Sequence, residues 1–176
     1  WGVGTHMVTG GSESSFPGVY KLAAKEYDGR MEPTMKISDN PEKSTNPGIK
    51  QIHRFYEPDG SPRADLICFD DEEVDPESAH WFYHPFVDYR HSKVKPWGPV
   101  KPLLEKQMED GKRIGESPSI AEIQRNTKQN LNALGFTYKR IINPHIYKVS
   151  ISQAVKDTKV GMIERLMENG FSGRTD

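Results

Sequence analysis

Thirteen prolines and fifteen glycines punctuate the 176 residues, and this spacing of breakers limits the chain to short elements. Apolar side chains make up 34% of the composition, near the lower limit for a self-sufficient core. With 24 basic against 25 acidic residues, the formal net charge is −1, which speaks against a protein built to coat nucleic acid or acidic membrane. A single cysteine, Cys68, excludes a disulfide framework and any zinc site made of several cysteines. No apolar run approaches the ~18 residues of a membrane span, and no signal segment opens the chain. These features predict a cytoplasmic protein.

The first half of the chain reads as two hairpins. Val19, Tyr20 and Leu22 lead through Lys25 to Tyr27 into the turn dipeptide Asp28-Gly29, with a return strand from Met31 to Ile37. Asp39 to Gly48 is rich in Pro and Asn and reads as loop. A second hairpin pairs Lys50–Tyr56 with Arg63–Phe69 across Pro58-Asp59-Gly60. Ile52 and Arg54 alternate with His53 and Phe55, so the sheet is expected to be antiparallel and partly solvated. From His80 to Trp97 the chain is aromatic and broken by Pro85 and Pro96, the composition of a segment that wraps a surface.

Two helices are expected at the end. Ser119 with Glu122 fits a capping box, Ile120, Ile123, Thr127, Leu131 and Leu134 form one stripe, and Gly135 stops the helix. The second is predicted to start at Ser150, with Gln153 as its capping partner, stripe residues Ile151, Val155, Met162 and Leu166, and Asn169-Gly170 as its end. The regions divide as 1–17, 18–79, 80–116 and 117–176. As an isolated chain this is an α+β pattern.

Few residues carry recognisable chemistry. In Gly2-Val3-Gly4-Thr5, two glycines free the backbone to approach an anion and a hydroxyl adds a directed donor. An ordinary tight turn has the same composition. His80 and His84 have the i, i+4 spacing of a helical metal pair, but Pro85 disfavours helix there and no third ligand is evident. The run Asp70-Asp71-Glu72-Glu73 could hold Mg²⁺ with phosphate, or simply end a hairpin in solvent. The aromatics at 80–97, interleaved with Arg90, His91, Lys93 and Lys95, could stack single-stranded nucleic acid or pack on another domain. Cys68 lies in an apolar strand with no base beside it in sequence, which reads as core.

Several segments, in order, resemble the C-terminal portion of the nicotinate phosphoribosyltransferase family. Trp1-Gly2-Val3-Gly4-Thr5-His6-Met7-Val8-Thr9 is similar to its glycine-threonine phosphate loop, and Gly18-Val19-Tyr20-Lys21-Leu22 to the strand that follows. Lys36–Lys43 and Asn46–Gln51 resemble its lysine- and proline-marked loop. Gly115–Ile120, Asn143-Pro144-His145 and Tyr147–Ser150 resemble its tail. Pro17 in place of a common glycine, and Arg125 displaced by one position, depart from the pattern within the scaffold.

The resemblance implies the last part of an incomplete α/β barrel, an α/β fold class, with Gly2, Gly4 and Thr5 as contacts to a 5-phosphate. His6 would be a rim residue. It further implies phosphoribosyl transfer from phosphoribosyl pyrophosphate to nicotinate, ATP and Mg²⁺ for the full enzyme, and a homodimer. The phosphorylated histidine and the base-stacking aromatic would lie before Trp1, so the lone chain is expected to be inactive. Competing readings are a fragment of a nicotinamide phosphoribosyltransferase, a binding module using 80–97, and a non-functional truncated product.

Overall fold

A computed structural model describes residues 4, 5, 9, 10, 19–38 and 43–172. Its centre is a six-stranded mixed sheet. We number the strands β1 (Ala24–Tyr27), β2 (Arg30–Pro33), β3 (Lys50–Tyr56), β4 (Pro62–Phe69), β5 (His80–Tyr83), β6 (His91–Val94), β7 (Val100–Pro102), β8 (Met108–Glu109), β9 (Lys112–Arg113) and β10 (Lys148–Ile151). The helices are α1 (Ile120–Ala133) and α2 (Gln153–Ser172). The order across the large sheet is β6-β5-β10-β4-β3-β7, while β1-β2 and β8-β9 stand as separate hairpins.

Both expected hairpins form. Asp28 and Gly29 take positive φ, as a two-residue turn requires, so Tyr27 pairs with Arg30 and Ala24 with Pro33. The return strand ends at Pro33, short of the expected Ile37, and Val19, Tyr20 and Leu22 are exposed coil. In β3–β4 the register runs from Lys50 opposite Phe69 to Phe55 opposite Ala64, with an irregularity at Tyr56.

The sheet is not purely antiparallel. β10 inserts between β4 and β5, parallel to β4, with Ser150 beside Leu66. Residues Lys148–Ile151 thus form a strand where the sequence suggested the approach to a helix. Ser150 is buried in that strand, and the cap of α2 falls two residues later. Ser152 is the cap: its hydroxyl accepts from Val155 N–H at 3.3 Å and its carbonyl from Lys156 N–H at 3.0 Å. The strand wins because Ser150 and Ile151 are almost wholly buried there. The helix also runs past Asn169-Gly170 to Ser172.

The aromatic stretch likewise contains a hairpin. Trp81 pairs with Lys93 and Tyr83 with His91, which sends Phe82 inward and Trp81, Tyr83 and His91 to the opposite face. Phe55, Ala64, Leu66, Phe82 and Val94 form the core, with Val74 and Val100 packed against it. Burial of each large apolar side chain contributes about 1.5–3 kcal/mol. Phe55 and Phe82 meet edge to face, centroids 5.1 Å apart.

Val155 of α2 is fully buried, and Tyr83 of β5 donates its hydroxyl hydrogen to Gln153. Gly98 lets the chain pass the β3–β4 turn closely: a Cβ there would lie 2.6 Å from the Glu57 carbonyl oxygen. Helix α1 behaves differently. Its capping box forms as expected, with Ser119 N–H donating to Glu122 at 2.7 Å and Glu122 N–H to the Ser119 hydroxyl at 3.3 Å. No residue of α1 is buried. The architecture is α+β.

Candidate functional site

Gly4 and Thr5 fall within the described residues; Gly2 and His6 lie outside them. Both described residues are exposed. Thr5 has helical backbone, and its carbonyl accepts the Thr9 hydroxyl hydrogen at 2.9 Å. Among the described residues other than its chain neighbours, none has an atom within 4 Å of where a Cβ on Gly4 would stand.

The other sequence candidates separate into structural parts. His80 and His84 do not converge on a shared point. The His80 Nε2 lies 2.6 Å from the Asp75 carbonyl oxygen, whereas His84 Nδ1 accepts from Phe86 N–H at 3.2 Å. Within the acidic run, Glu72 has a defined task. Its carboxylate accepts from Phe69 N–H at 3.1 Å and from the Ser152 hydroxyl at 2.8 Å, tying the end of β4 to the cap of α2. Among the described residues, no group of three or more His, Cys, Asp or Glu side chains is placed to hold a metal ion.

Cys68 is fully buried, in keeping with a core role. The structure adds a neighbour that the sequence order hides: His53 Nδ1 lies 3.2 Å from Cys68 Sγ across β3–β4. This is not an activated thiol. Burial, followed by the nearby Glu72 charge, pushes the Cys68 pKa up to about 12, so the thiolate is not populated at neutral pH. The pair is hydrogen-bonding chemistry inside a sheet.

A second cluster also went unread in the sequence. Arg54 Nε and Nη2 donate to the two Asp65 oxygens at 2.8 and 2.7 Å, and Tyr147 donates its hydroxyl hydrogen to Asp65 at 3.0 Å. The bidentate pairing raises the Arg54 pKa, and burial next to the Asp65 charge raises that of Tyr147. Since Tyr147 lies just before β10, this trio fastens the returning chain to the β3–β4 hairpin. The available signal was that Arg54 and Asp65 become cross-strand partners once the turn is placed.

The aromatic-basic segment forms a small platform. The Tyr83 and His91 rings are stacked at 5.5 Å, Trp81 meets His91 edge-on at 5.5 Å, and Lys156 lies 4.5 Å over Tyr83. Two lysines, the partly buried Lys50 and the buried Lys159, anchor the loop before β3. Lys50 donates to the Asn46 and Pro47 carbonyls, and Lys159 to the Pro85 carbonyl and the Asn46 side chain. Burial lowers both of their pKa values. These contacts are scaffold interactions.

The described architecture is thus an accessory α+β domain with an open glycine-threonine segment at one end. Residues 49–159 match the family model for the nicotinate phosphoribosyltransferase C-terminal domain. A Bacillus subtilis nicotinate phosphoribosyltransferase is 35% identical over 167 residues, covering 94% of this chain and 34% of that protein. The human protein of the same name is 32% identical over 155 residues, covering 88% of this chain and 28% of its own length. In structure, the chain is similar to the crystal structure of human nicotinic acid phosphoribosyltransferase, with TM-score 0.61 and 26% identity over 68% of this chain and 24% of that one. The chain belongs to the nicotinate phosphoribosyltransferase family and corresponds to its C-terminal domain. It spans about a third of the length of the curated relatives it matches.

Proposed function

We propose that this chain acts as the C-terminal part of an enzyme that transfers a phosphoribosyl group from phosphoribosyl pyrophosphate to nicotinate. The products are nicotinate mononucleotide and pyrophosphate, an entry to NAD synthesis. The observation that carries this reading is the family match, which covers 49–159 and therefore the whole six-stranded sheet. The enzyme works in the cytoplasm as a homodimer; among the described residues, no helix is long and apolar enough to cross a membrane.

In this reading, Gly2, Gly4 and Thr5 hold the 5-phosphate. Converging N–H groups and one hydroxyl bind the dianion, and the missing Cβ at Gly4 leaves room for its oxygens. The β3–β10 sheet acts as scaffold. The phosphorylated histidine and the nicotinate-stacking aromatic belong to the family polypeptide outside this chain. ATP and Mg²⁺ serve the full enzyme, with ATP supplying the phosphoryl group for that histidine.

Thr5→Ala in the polypeptide that carries this sequence tests the assignment. Losing a hydrogen bond to a charged group costs about 1.5–3 kcal/mol, so KM for phosphoribosyl pyrophosphate should rise about ten- to a hundredfold while KM for nicotinate holds. Unchanged kinetics would remove Thr5 from the site.

A further inference from the structure

Three hairpin turns of this chain carry the same dipeptide. Asp28-Gly29 joins β1 to β2, Asp59-Gly60 lies between β3 and β4, and Asp110-Gly111 joins β8 to β9. All six residues are exposed. Each dipeptide sets a glycine nitrogen, with no side chain to shield it, directly after a carboxyl. The hydrogen bonds around the three pairs differ, and that difference sorts them by reactivity.

Asp28-Gly29 and Asp110-Gly111 are two-residue turns of one form. Tyr27 pairs with Arg30 across the first, and Glu109 with Lys112 across the second. Both residues of each turn take positive φ, 49° and 74° in the first and 48° and 72° in the second. Among the described residues, nothing hydrogen-bonds to the Asp28 or Asp110 carboxyl, and neither the Gly29 nor the Gly111 N–H has a partner.

Asp59-Gly60 is held on both sides of the reactive pair. One Asp59 carboxylate oxygen accepts from the Ser61 N–H at 2.9 Å and from the Ser61 hydroxyl at 2.7 Å. The Gly60 N–H donates to the Glu57 carbonyl at 2.9 Å. The bonds from Ser61, its hydroxyl foremost, also hold the Asp59 carboxyl below the usual carboxylate range.

From this we infer that Asp28 and Asp110 are sites of spontaneous conversion to isoaspartate, whereas Asp59, in the same dipeptide, is protected by the hydrogen bonds of its turn. In the first step the glycine nitrogen attacks the protonated aspartate carboxyl carbon. A C–N bond forms, the C–OH bond breaks, and the amide proton leaves with the hydroxyl as water, which closes a five-membered succinimide. Water then opens the ring. Opening at the former main-chain carbonyl leaves isoaspartate, with no net change in composition and no reactant other than water. The main chain now runs through Cβ and is one atom longer, so it no longer matches a two-residue turn. This modification is independent of the transferase reading.

The test is to age the native polypeptide that carries this sequence at neutral pH in heavy-oxygen water, folded and in urea, and to map it with trypsin. The three turns fall in separate peptides, 26–30, 55–63 and 107–112. Each passage through the succinimide leaves one heavy oxygen in its peptide, and isoaspartate resists a protease that cuts before aspartate. In the folded polypeptide, peptides 26–30 and 107–112 should convert at least about tenfold faster than 55–63. In urea the three rates should converge to within about threefold, because the dipeptide is the same and only the fold separates them. Ser61→Ala should speed conversion at Asp59 several-fold and leave the other two unchanged.

Folded rates at Asp59 equal to those at Asp28 and Asp110 would overturn the protection. Peptides 26–30 and 107–112 that stay unconverted when folded, yet react in urea, would overturn the two sites. A spread among the three that persists in urea would assign the difference to neighbouring sequence and not to the turn.

Discussion

At the scale of single residues, the buried polar contacts are the ones with measurable consequences. Asp65 joins Arg54 and Tyr147, so Asp65→Asn leaves a guanidinium without its counter-charge. Removing one partner of a well-buried pair costs about 3–5 kcal/mol; Arg54 keeps 26% of its side-chain surface, which brings the expected loss in urea unfolding to about 2–3 kcal/mol. His53 predicts a pH effect. Its pKa is lowered by burial and by His80, with the Glu72 charge opposing. The unfolded chain consequently takes up this proton before the native chain does. Stability is intact above the ordinary imidazole value of about 6.5 and declines as the pH falls below it. Melting temperature followed from pH 7.5 to 5 should drop, and the slope should flatten in His53→Gln. The His53–Cys68 contact was invisible in sequence because the two residues lie on different strands and meet only after the β3–β4 register is fixed.

At the scale of elements, two serine caps of the same chemical kind should behave differently. Ser152 caps α2, which buries Val155, and its hydroxyl also donates to Glu72. Ser152→Ala should lower global unfolding stability by about 1–2 kcal/mol. Ser119 caps α1, where no residue is buried. Ser119→Ala should therefore reduce local helicity and leave the global transition of the sheet within about 0.5 kcal/mol. Parallel urea titrations read by Trp fluorescence and by far-ultraviolet circular dichroism would show the contrast. The hairpins and α1 were legible because turn dipeptides and capping boxes are local signals. Strand β10 was not, since Lys148–Ile151 becomes a strand only by inserting between β4 and β5, partners that lie far away in sequence. The same insertion moves the cap of α2 from Ser150 to Ser152.

At the scale of the whole molecule, the thin apolar content has a structural counterpart. Among the described residues only eight apolar side chains other than proline are buried, while Tyr20, Ile120, Phe136, Ile141 and Ile146 all lie more than three-quarters exposed. Such a surface suits a domain that finishes a larger assembly. The candidate site was legible only in part. Gly4 and Thr5 are exposed, Gly2 and His6 lie outside the described residues, and no described contact bears on a phosphate. The phosphate-loop reading itself came from the order of several family-like segments, because Gly-x-Gly-Thr alone is too short to be specific. The most direct test is to isolate the native polypeptide that carries this sequence, determine its intact mass, and follow pyrophosphate release from phosphoribosyl pyrophosphate with nicotinate or nicotinamide. A mass about three times that of this chain, with nicotinate mononucleotide formed from nicotinate and little product from nicotinamide, is the predicted result. A native mass of about 20 kDa with no transfer to either base would contradict it.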